Sequence, residues 1–230
     1  MDRITVSAGA ARTFAAALGG AVTLCALALI WMARSQVDRP VYVSELGADG
    51  EPTAQLFELA LLLVVAGGLL VAWAGRGIRA TPPVLRAWSV STSVTAAAAL
   101  FLVASQVPCT AGCPLPVGAT FSWQDLVHTS AAVLAFAAAS LAMLQASLAD
   151  GGRALRLLSL TCGIAVAVIA GTGGILSLLR FATDIGGFLE LLATTIAIGW
   201  LVVFAGAARG VETVSVRPRA ALRATAQGSR

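Results

Sequence analysis

The sequence predicts an all-α fold, a polytopic integral membrane protein built as a bundle of six transmembrane helices with both termini in the cytoplasm. Hydrophobic residues make up 58% of the 230-residue chain and charged residues 11%, whereas a soluble domain carries about 25% charged residues. The apolar residues form runs close to the roughly 20 residues that a helix needs to cross the hydrocarbon core of a bilayer. Backbone groups in lipid must bond within their own segment, so these runs predict helices.

Six runs are long enough to be spans. We place them at residues 13–34, 54–75, 87–106, 125–148, 157–179 and 185–208. The first follows Arg3 and Arg12, as a signal peptide would, but its apolar run is too long and no small-x-small cleavage site follows, so we expect a retained anchor. Residues 1–208 therefore form one predicted transmembrane domain. Residues 209–230 are rich in arginine and poor in large apolar residues, and we expect a disordered cytoplasmic tail.

The distribution of arginine predicts the orientation. With the N-terminus inside, twelve of the fifteen basic residues fall in inner segments, and only Arg34, Arg39 and Arg180 fall outside. This asymmetry follows the positive-inside rule and predicts a multi-pass protein of the prokaryotic plasma (inner) membrane.

All fifteen basic residues are arginine, which together with the heavy use of alanine indicates a GC-rich genome rather than a nucleic-acid surface. We expect membrane lipids as partners, with a partner membrane protein as a further option, and no nucleic acid.

Two cysteines stand in the second outer loop, Cys109 and Cys113. A local disulfide on the oxidising side of the membrane is one interpretation, and two free thiols are the other. A C-x-x-x-C pair supplies too few ligands for a closed zinc site, so we predict no metal there. The single histidine, His128, also excludes a b-type haem held by two histidines, and we predict no cofactor.

Ionisable residues begin each of the three spans that run from outside to inside: Glu58, then Asp125 with His128, then Glu190. Glu190 lies about five residues into its span, roughly 7–8 Å deep at 1.5 Å per residue, and Arg180 is its expected partner. Ionisable groups inside a membrane are costly and mark candidate sites. We therefore expect a polar, outward-facing cleft. Its candidate ligand-binding residues are Glu45, Glu58, Asp125, His128, Arg180 and Glu190.

The pair Asp125 and His128 also has a purely structural interpretation. Residues three apart lie on one helix face, but an acid at a helix N-terminus is favoured by the macrodipole. Ser122 is placed to cap that helix. On this interpretation His128 is an interfacial histidine bonded to a neighbour.

Three stretches, "YVSELGADGEPTAQLFELALLLVVAGG", "VPCTAGCPLP" and "DLVH", resemble in the same order the DUF998 family of prokaryotic six-span membrane proteins of unknown function. The resemblance covers about residues 13–208. Its motifs here are the Ser44–Gly47 loop, the Cys-x-x-x-Cys-Pro loop from Cys109 to Pro114, and His128. Family members often have Asp where this chain has Thr110. The resemblance implies the six-span topology and brings no activity.

Three functions stay open at this level. The first is a non-enzymatic protein that binds or helps move a lipid or small polar molecule through the polar cleft, alone or as an accessory subunit. The second is a membrane-embedded enzyme of lipid or envelope chemistry, in which His128 acts as general base, Asp125 orients it, and Ser44 or a water is the nucleophile. The third is a proton-coupled transporter with Glu58 and Glu190 as proton carriers. The chain contains no Walker loop, no G-x-S-x-G elbow and no dinucleotide fingerprint preceded by a strand.

Overall fold

The computed structural model describes the backbone of residues 2–114, 118, 121–179 and 181–227, and the side chains of residues 9–208 within those ranges. Its long elements are six helices: α1 (Asp2–Ser35), α2 (Ala54–Ala74), α4 (Val90–Gln106), α5 (Trp123–Ser147), α6 (Arg153–Leu178) and α7 (Thr183–Gln227). A 3₁₀ helix (Ser44–Gly47) precedes α2, and the four-residue α3 (Pro83–Arg86) precedes α4. In these ranges the one strand-like feature is an isolated bridge between Ala80 and Ala149. The all-α prediction is confirmed.

Five of these helices are long and apolar enough to cross a membrane. They comprise Gly9–Ser35, Ala54–Ala74, Trp123–Ser147, Arg153–Leu178 and Thr183–Ala208. The remaining apolar helix, α4, has 17 residues, or about 25 Å at 1.5 Å per residue, against a hydrocarbon core of about 30 Å. It starts three residues later than predicted because the Ser89 side chain accepts the Thr92 backbone N–H at 3.1 Å and caps the helix there. The structure thus supports a membrane-embedded bundle, whereas the exact count of six spans and the position of the termini stay predictions.

The six long helices form a closed ring. Each packs against the next in the order α1, α2, α4, α5, α6, α7, and α7 packs back against α1. We call one end of the bundle the disulfide end; it holds the 3₁₀ helix and the start of α5. The opposite end, where α2 and α5 finish, is the arginine end.

Helices α1 and α2 approach each other closely at Gly19 and Gly67. Thr23 Oγ1 donates to the Gly19 carbonyl at 2.7 Å, and a Cβ placed on Gly67 would fall on that hydroxyl. A Cβ on Gly19 would lie 2.9 Å from the side chains of Leu70 and Val71. Small residues at such contacts let helices approach where lipid provides no hydrophobic driving force, so this pair of helices is tightly fixed.

Arginines at the opposite end satisfy the last carbonyls of two helices. Arg12 Nη2 donates to the carbonyls of Ala74 at 2.9 Å and Arg76 at 3.1 Å, where α2 ends. Arg156 Nε donates to the Ser147 carbonyl at 3.1 Å, where α5 ends. The last carbonyls of a helix have no partner within the helix, and basic side chains commonly satisfy them.

The chain termini extend beyond the predicted spans. α1 begins at Asp2, before the predicted start of the first span, and α7 continues as helix to Gln227. The sequence predicted a disordered tail at residues 209–230, and that disorder stays a prediction. Arg180 lies outside the described residues.

Candidate functional site

A central cavity lies inside the ring, bounded mainly by α2, α4, α5 and α7. Its volume is about 90 Å³, several times the roughly 10–15 Å³ that one water needs. The lining on α5 runs from His128 to Met143, which is about 22 Å at 1.5 Å per residue. On α4 it runs from Val94 to Ala104, about 15 Å by the same rise. The cavity is therefore long and narrow.

The walls of this cavity are almost entirely apolar. Alanine, valine, leucine, isoleucine and phenylalanine supply most of the lining, and the polar contributors are His128, Glu190, Thr194 and Trp200. Thr194 Oγ1 donates to the Glu190 carbonyl at 2.8 Å, and Trp200 Nε1 donates to Ser159 Oγ at 2.9 Å. Both of those side chains are thus already paired, which leaves His128 and Glu190 as the groups of interest.

His128 lies in the second turn of α5, near the disulfide end, and is 5% exposed. Its Nδ1 lies 3.0 Å from the Ala104 carbonyl oxygen and 2.9 Å from the Val107 carbonyl oxygen, in the last turn of α4. Carbonyl oxygens only accept hydrogen bonds, so Nδ1 carries the proton and the neutral ring presents Nε2 as an acceptor. We assign the neutral ring because a charged one would bury a second, unpaired N–H.

The other ring nitrogen has no partner. His128 Nε2 is buried and makes no hydrogen bond to any described residue, while the residue itself lines the cavity. Buried polar atoms are paired in the large majority of cases, and each exception calls for an explanation. Here the unpaired atom belongs to a residue that lines an apolar cavity.

Glu190 closes the same end of the cavity from α7. Its Oε2 accepts the Val43 backbone N–H at 2.8 Å, and its Oε1 accepts the Ser44 backbone N–H at 3.3 Å. These two amides belong to the start of the 3₁₀ helix, so the carboxyl group ties α7 to the Ser44–Gly47 turn. Arg180, its predicted partner, lies outside the described residues. These bonds to backbone amides were not predicted from the sequence, where only side chains were considered as partners of Glu190.

Asp125 is enclosed by donors. Its Oδ1 accepts the Thr110 backbone N–H at 2.8 Å, and its Oδ2 accepts the hydroxyls of Thr110 at 2.9 Å and Ser122 at 2.5 Å. Ser122 Oγ in turn accepts the Asp125 backbone N–H at 3.0 Å, so Ser122 caps α5 as the structural interpretation expected. The Asp125 carboxylate bonds to Thr110 and Ser122, and Asp125 therefore anchors α5 to the second loop rather than orienting the imidazole.

The second loop is closed by a disulfide between Cys109 and Cys113, whose Cα atoms are 5.1 Å apart. The Cys109 carbonyl accepts the Asp49 backbone N–H at 3.0 Å. Gln124 Nε2 donates to Asp49 Oδ2 and to the Pro108 carbonyl, both at 2.8 Å. These bonds join the first loop, the second loop and the start of α5 into one cap over the disulfide end.

Glu45 and Glu58 lie away from the cavity. Glu45 forms a salt bridge with Arg39 at 2.9 Å, and Arg39 also pairs with Glu51 at 2.5 Å. The hydrogen bond to Glu45 is the first cause that raises the pKa of Arg39 above its usual value, opposed by partial burial and assisted by the charge of Glu51. Glu58 is exposed and accepts a long bond of 3.5 Å from Gln106 Nε2.

The predicted convergence is therefore only partly realised. Of the five candidate ligand-binding residues that the structure describes, His128 and Glu190 line one cavity, and that cavity is apolar rather than a polar cleft. Glu58 fails to reach it because its neighbour Phe57 faces the cavity, and consecutive residues of a helix point about 100° apart. Ser44 donates its backbone N–H to Glu190. Among the described residues, no group of three or more His, Cys, Asp or Glu side chains could hold a metal ion.

Comparison with known proteins bears on the family and not on the ligand. Neither the curated proteins nor the solved structures gave a match to this chain. A family model does match, over residues 17–207, and it takes in all the elements that build the cavity and its polar end. The chain therefore belongs to the family described as Protein of unknown function (DUF998).

Proposed function

We propose that this protein is a non-enzymatic membrane protein that binds a single-chain amphiphile in its central cavity, with the chain lying along α4 and α5 and the polar end at His128 and Glu190. The observation that carries the proposal is the cavity itself: a long, narrow, apolar space whose two noteworthy polar groups, His128 and Glu190, both belong to the disulfide end. Ligand sites in proteins are typically apolar with a few placed polar groups. The cavity volume of about 90 Å³ favours one short chain and excludes fused-ring and two-chain lipids, since a cavity of about 150 Å³ takes a single benzene ring.

Entry from the side supports a ligand that comes from the membrane. On one side of the bundle, α6 packs against both α5 and α7. Five cavity-lining residues of α5 and α7 are only half buried: Ala132, Phe136, Ala139, Thr194 and Ala197. A chain already dissolved in lipid can reach the cavity between these helices without crossing water.

The proposal includes the predicted orientation in a prokaryotic plasma membrane. The arginines gather at the end opposite the disulfide, in keeping with the positive-inside rule. A disulfide in the second loop is in keeping with an oxidising outer compartment. The polar end of the cavity would then lie near the outer leaflet.

The two alternatives find less support. General acid–base chemistry needs the acting groups within about 2.6–3.2 Å of each other or of the substrate, and the bonds of Asp125 go to Thr110 and Ser122 rather than to His128. Proton transport by Glu58 and Glu190 would need both on one path, yet Glu58 is exposed and off the cavity. Ligand binding, by contrast, requires neither a second catalytic group bonded to His128 nor a second acid in the cavity.

A fluorescence titration tests the proposal. Trp200 lines the cavity and is 3% exposed, whereas Trp31, Trp73, Trp88 and Trp123 are all exposed. A protein in which those four are changed to Phe reports on Trp200 alone. A hexyl probe brominated at its terminal carbon, added to this protein in phosphatidylcholine nanodiscs, is expected to quench Trp200 saturably at low probe-to-lipid ratios.

A matched pair of variants shows where the probe binds. Ala98 lines the cavity, and its neighbour Ala99 is exposed on the outside of α4. Ala98→Leu fills the cavity and should abolish saturable quenching, whereas Ala99→Leu should leave it intact. Quenching that rises only in proportion to probe concentration, or that is the same in both variants, would show that the cavity does not take the chain.

A further inference from the structure

The open nitrogen of His128 defines the chemistry of the ligand's polar end. We infer that this end is an alcohol, whose hydroxyl donates a hydrogen bond to His128 Nε2. The inference rests on the proposed function, since it identifies the class of amphiphile that the cavity takes. It adds a selectivity that the apolar walls do not supply: a chain moving from lipid into an apolar cavity exchanges one hydrocarbon environment for another.

The role of His128 as an acceptor follows from what holds its other side. Two carbonyl oxygens of α4, those of Ala104 and Val107, lie 3.0 and 2.9 Å from Nδ1. They fix the proton on Nδ1 and leave the lone pair on Nε2. The residue is 5% exposed, and Nε2 has no partner among the described residues. A ligand that donates a hydrogen bond at this point would satisfy the atom.

The remaining polar groups of the cavity already have partners within the protein. Each oxygen of Glu190 accepts one backbone N–H group, from Val43 and Ser44, and keeps a second lone pair. Thr194 and Trp200 donate to partners within the protein. Among the described polar side chains of this lining, His128 Nε2 is the one nitrogen or oxygen atom with no partner at all, so a donor from the ligand would relieve the largest deficit there.

Other common head groups fit this end poorly. A carboxylate or a phosphodiester has only acceptors, so its oxygens would face the lone pair of His128 and the carboxyl group of Glu190. An ester or ether oxygen likewise has no hydrogen to donate. An ammonium group donates, but it would have to leave water for an apolar space in which the Glu190 oxygens are already engaged. A hydroxyl donates one bond at the lowest desolvation cost.

Probes that differ only at the head group test the inference. Hexanol brominated at its terminal carbon, its methyl ether and the corresponding carboxylic acid are titrated into the protein whose only tryptophan is Trp200. We expect the alcohol to bind about fivefold to tenfold more tightly than the ether, as one hydrogen bond of ordinary strength implies. The acid should bind more weakly than either. His128→Asn keeps a donor near the position of Nδ1 and removes Nε2, and it should reduce the alcohol's affinity to that of the ether.

The outcomes separate the inference from the function on which it rests. Equal affinity of alcohol and ether in the unsubstituted His128 protein, with both abolished by Ala98→Leu, would overturn the inference and leave the cavity as a binding site. A preference for alcohol that survives in His128→Asn would also overturn it, because the hydroxyl would then be bound elsewhere. If none of the three probes quenches Trp200 saturably, the proposed function fails as well.

Discussion

Asp125 and His128 lie three residues apart on the same helix, and both are buried, with 1% and 5% of their surface exposed. They differ in the completeness of their pairing. Each oxygen of Asp125 is bonded by the protein itself, to Thr110 and Ser122, whereas His128, which lines the cavity, has one nitrogen bonded and one without a partner among the described residues.

This difference separates a support from a site. A buried charge that is fully hydrogen-bonded holds its surroundings in place, and removing it leaves its donors unsatisfied. A buried acceptor left open toward a cavity contributes nothing to holding the fold and is available to a ligand. Substitutions at the two positions should therefore affect different properties, stability for Asp125 and selectivity for His128.

The largest expected effect on stability is at Asp125. Asp125→Ala leaves the Thr110 amide and two hydroxyls without their acceptor, and hydrogen bonds to charged groups contribute about 1.5–3 kcal/mol each but not additively. We expect the free energy of unfolding to fall by about 3 kcal/mol, measured by SDS-induced unfolding in mixed micelles. Glu58→Ala removes an exposed acid near the same end and should change stability by less than about 0.5 kcal/mol. Equal effects of the two substitutions would contradict the supporting role of Asp125.

The disulfide should have the next largest effect, and on the same property. Removing it in the Cys109→Ser, Cys113→Ser double variant should lower the free energy of unfolding by about 2 kcal/mol. Cys25, which is exposed, gives the control substitution Cys25→Ser. The disulfide-closed segment bonds to Asp125 through Thr110, whereas the carbonyls that hold His128 belong to Ala104 and Val107, which precede the first cysteine. The preference of Trp200 quenching for alcohol over ether should therefore not change. A lost preference in a double variant that is still folded would show that the loop shapes the binding site.

His128 should give a smaller effect on stability. His128→Asn retains a donor for the α4 carbonyls and should lower the free energy of unfolding by about 1 kcal/mol. His128→Leu removes the donor as well and should cost more, because the carbonyls of Ala104 and Val107 each lose a bond. Both variants are compared with the parent protein in the same unfolding assay. An Asn variant as unstable as the Leu variant would mean that Nδ1 does not donate to these carbonyls.

The smallest effect on stability is expected at Arg39, which is exposed whereas Asp125 and His128 are buried. Its ion pairs with Glu45 and Glu51 lie in a loop outside the spans, and its side chain is 49% exposed. Exposed ion pairs contribute at most about 1 kcal/mol, so Arg39→Ala should change the free energy of unfolding by less than that. The raised pKa of Arg39 means that its charge persists through the alkaline range. High salt should reduce the difference in the free energy of unfolding between parent and variant. A loss of stability that is the same at low and high salt would indicate that Arg39 acts by packing instead.

Much of the fold could be predicted because long apolar runs and helix caps are local signals. α2 was predicted at 54–75 and is found at Ala54–Ala74, and the run at 125–148 is found as Trp123–Ser147 with the expected cap at Ser122. The error at the start of α4 is also local in origin. Ser89 caps that helix, so it begins at Val90 rather than at residue 87.

The candidate site was harder to predict because apolar residues cover every face of these helices. The pattern therefore did not show that Phe57 faces inward and Glu58 outward. The partners of His128 and Glu190 are backbone groups of other elements, namely two carbonyls of α4 and two amides of the 3₁₀ helix. Every residue type carries such groups, so side-chain chemistry gave no signal for them.

Nitrogen NMR of the imidazole tests the central claim most directly, because His128 is the only histidine in the chain. Protein labelled with ¹⁵N-histidine in nanodiscs should show one protonated nitrogen, Nδ1, and one unprotonated nitrogen, Nε2. Adding hexanol should shift the Nε2 signal in the direction of an accepted hydrogen bond, and its methyl ether should leave the signal in place. A proton resident on Nε2, or an Nε2 signal that stays fixed while the alcohol occupies the cavity, would contradict the account.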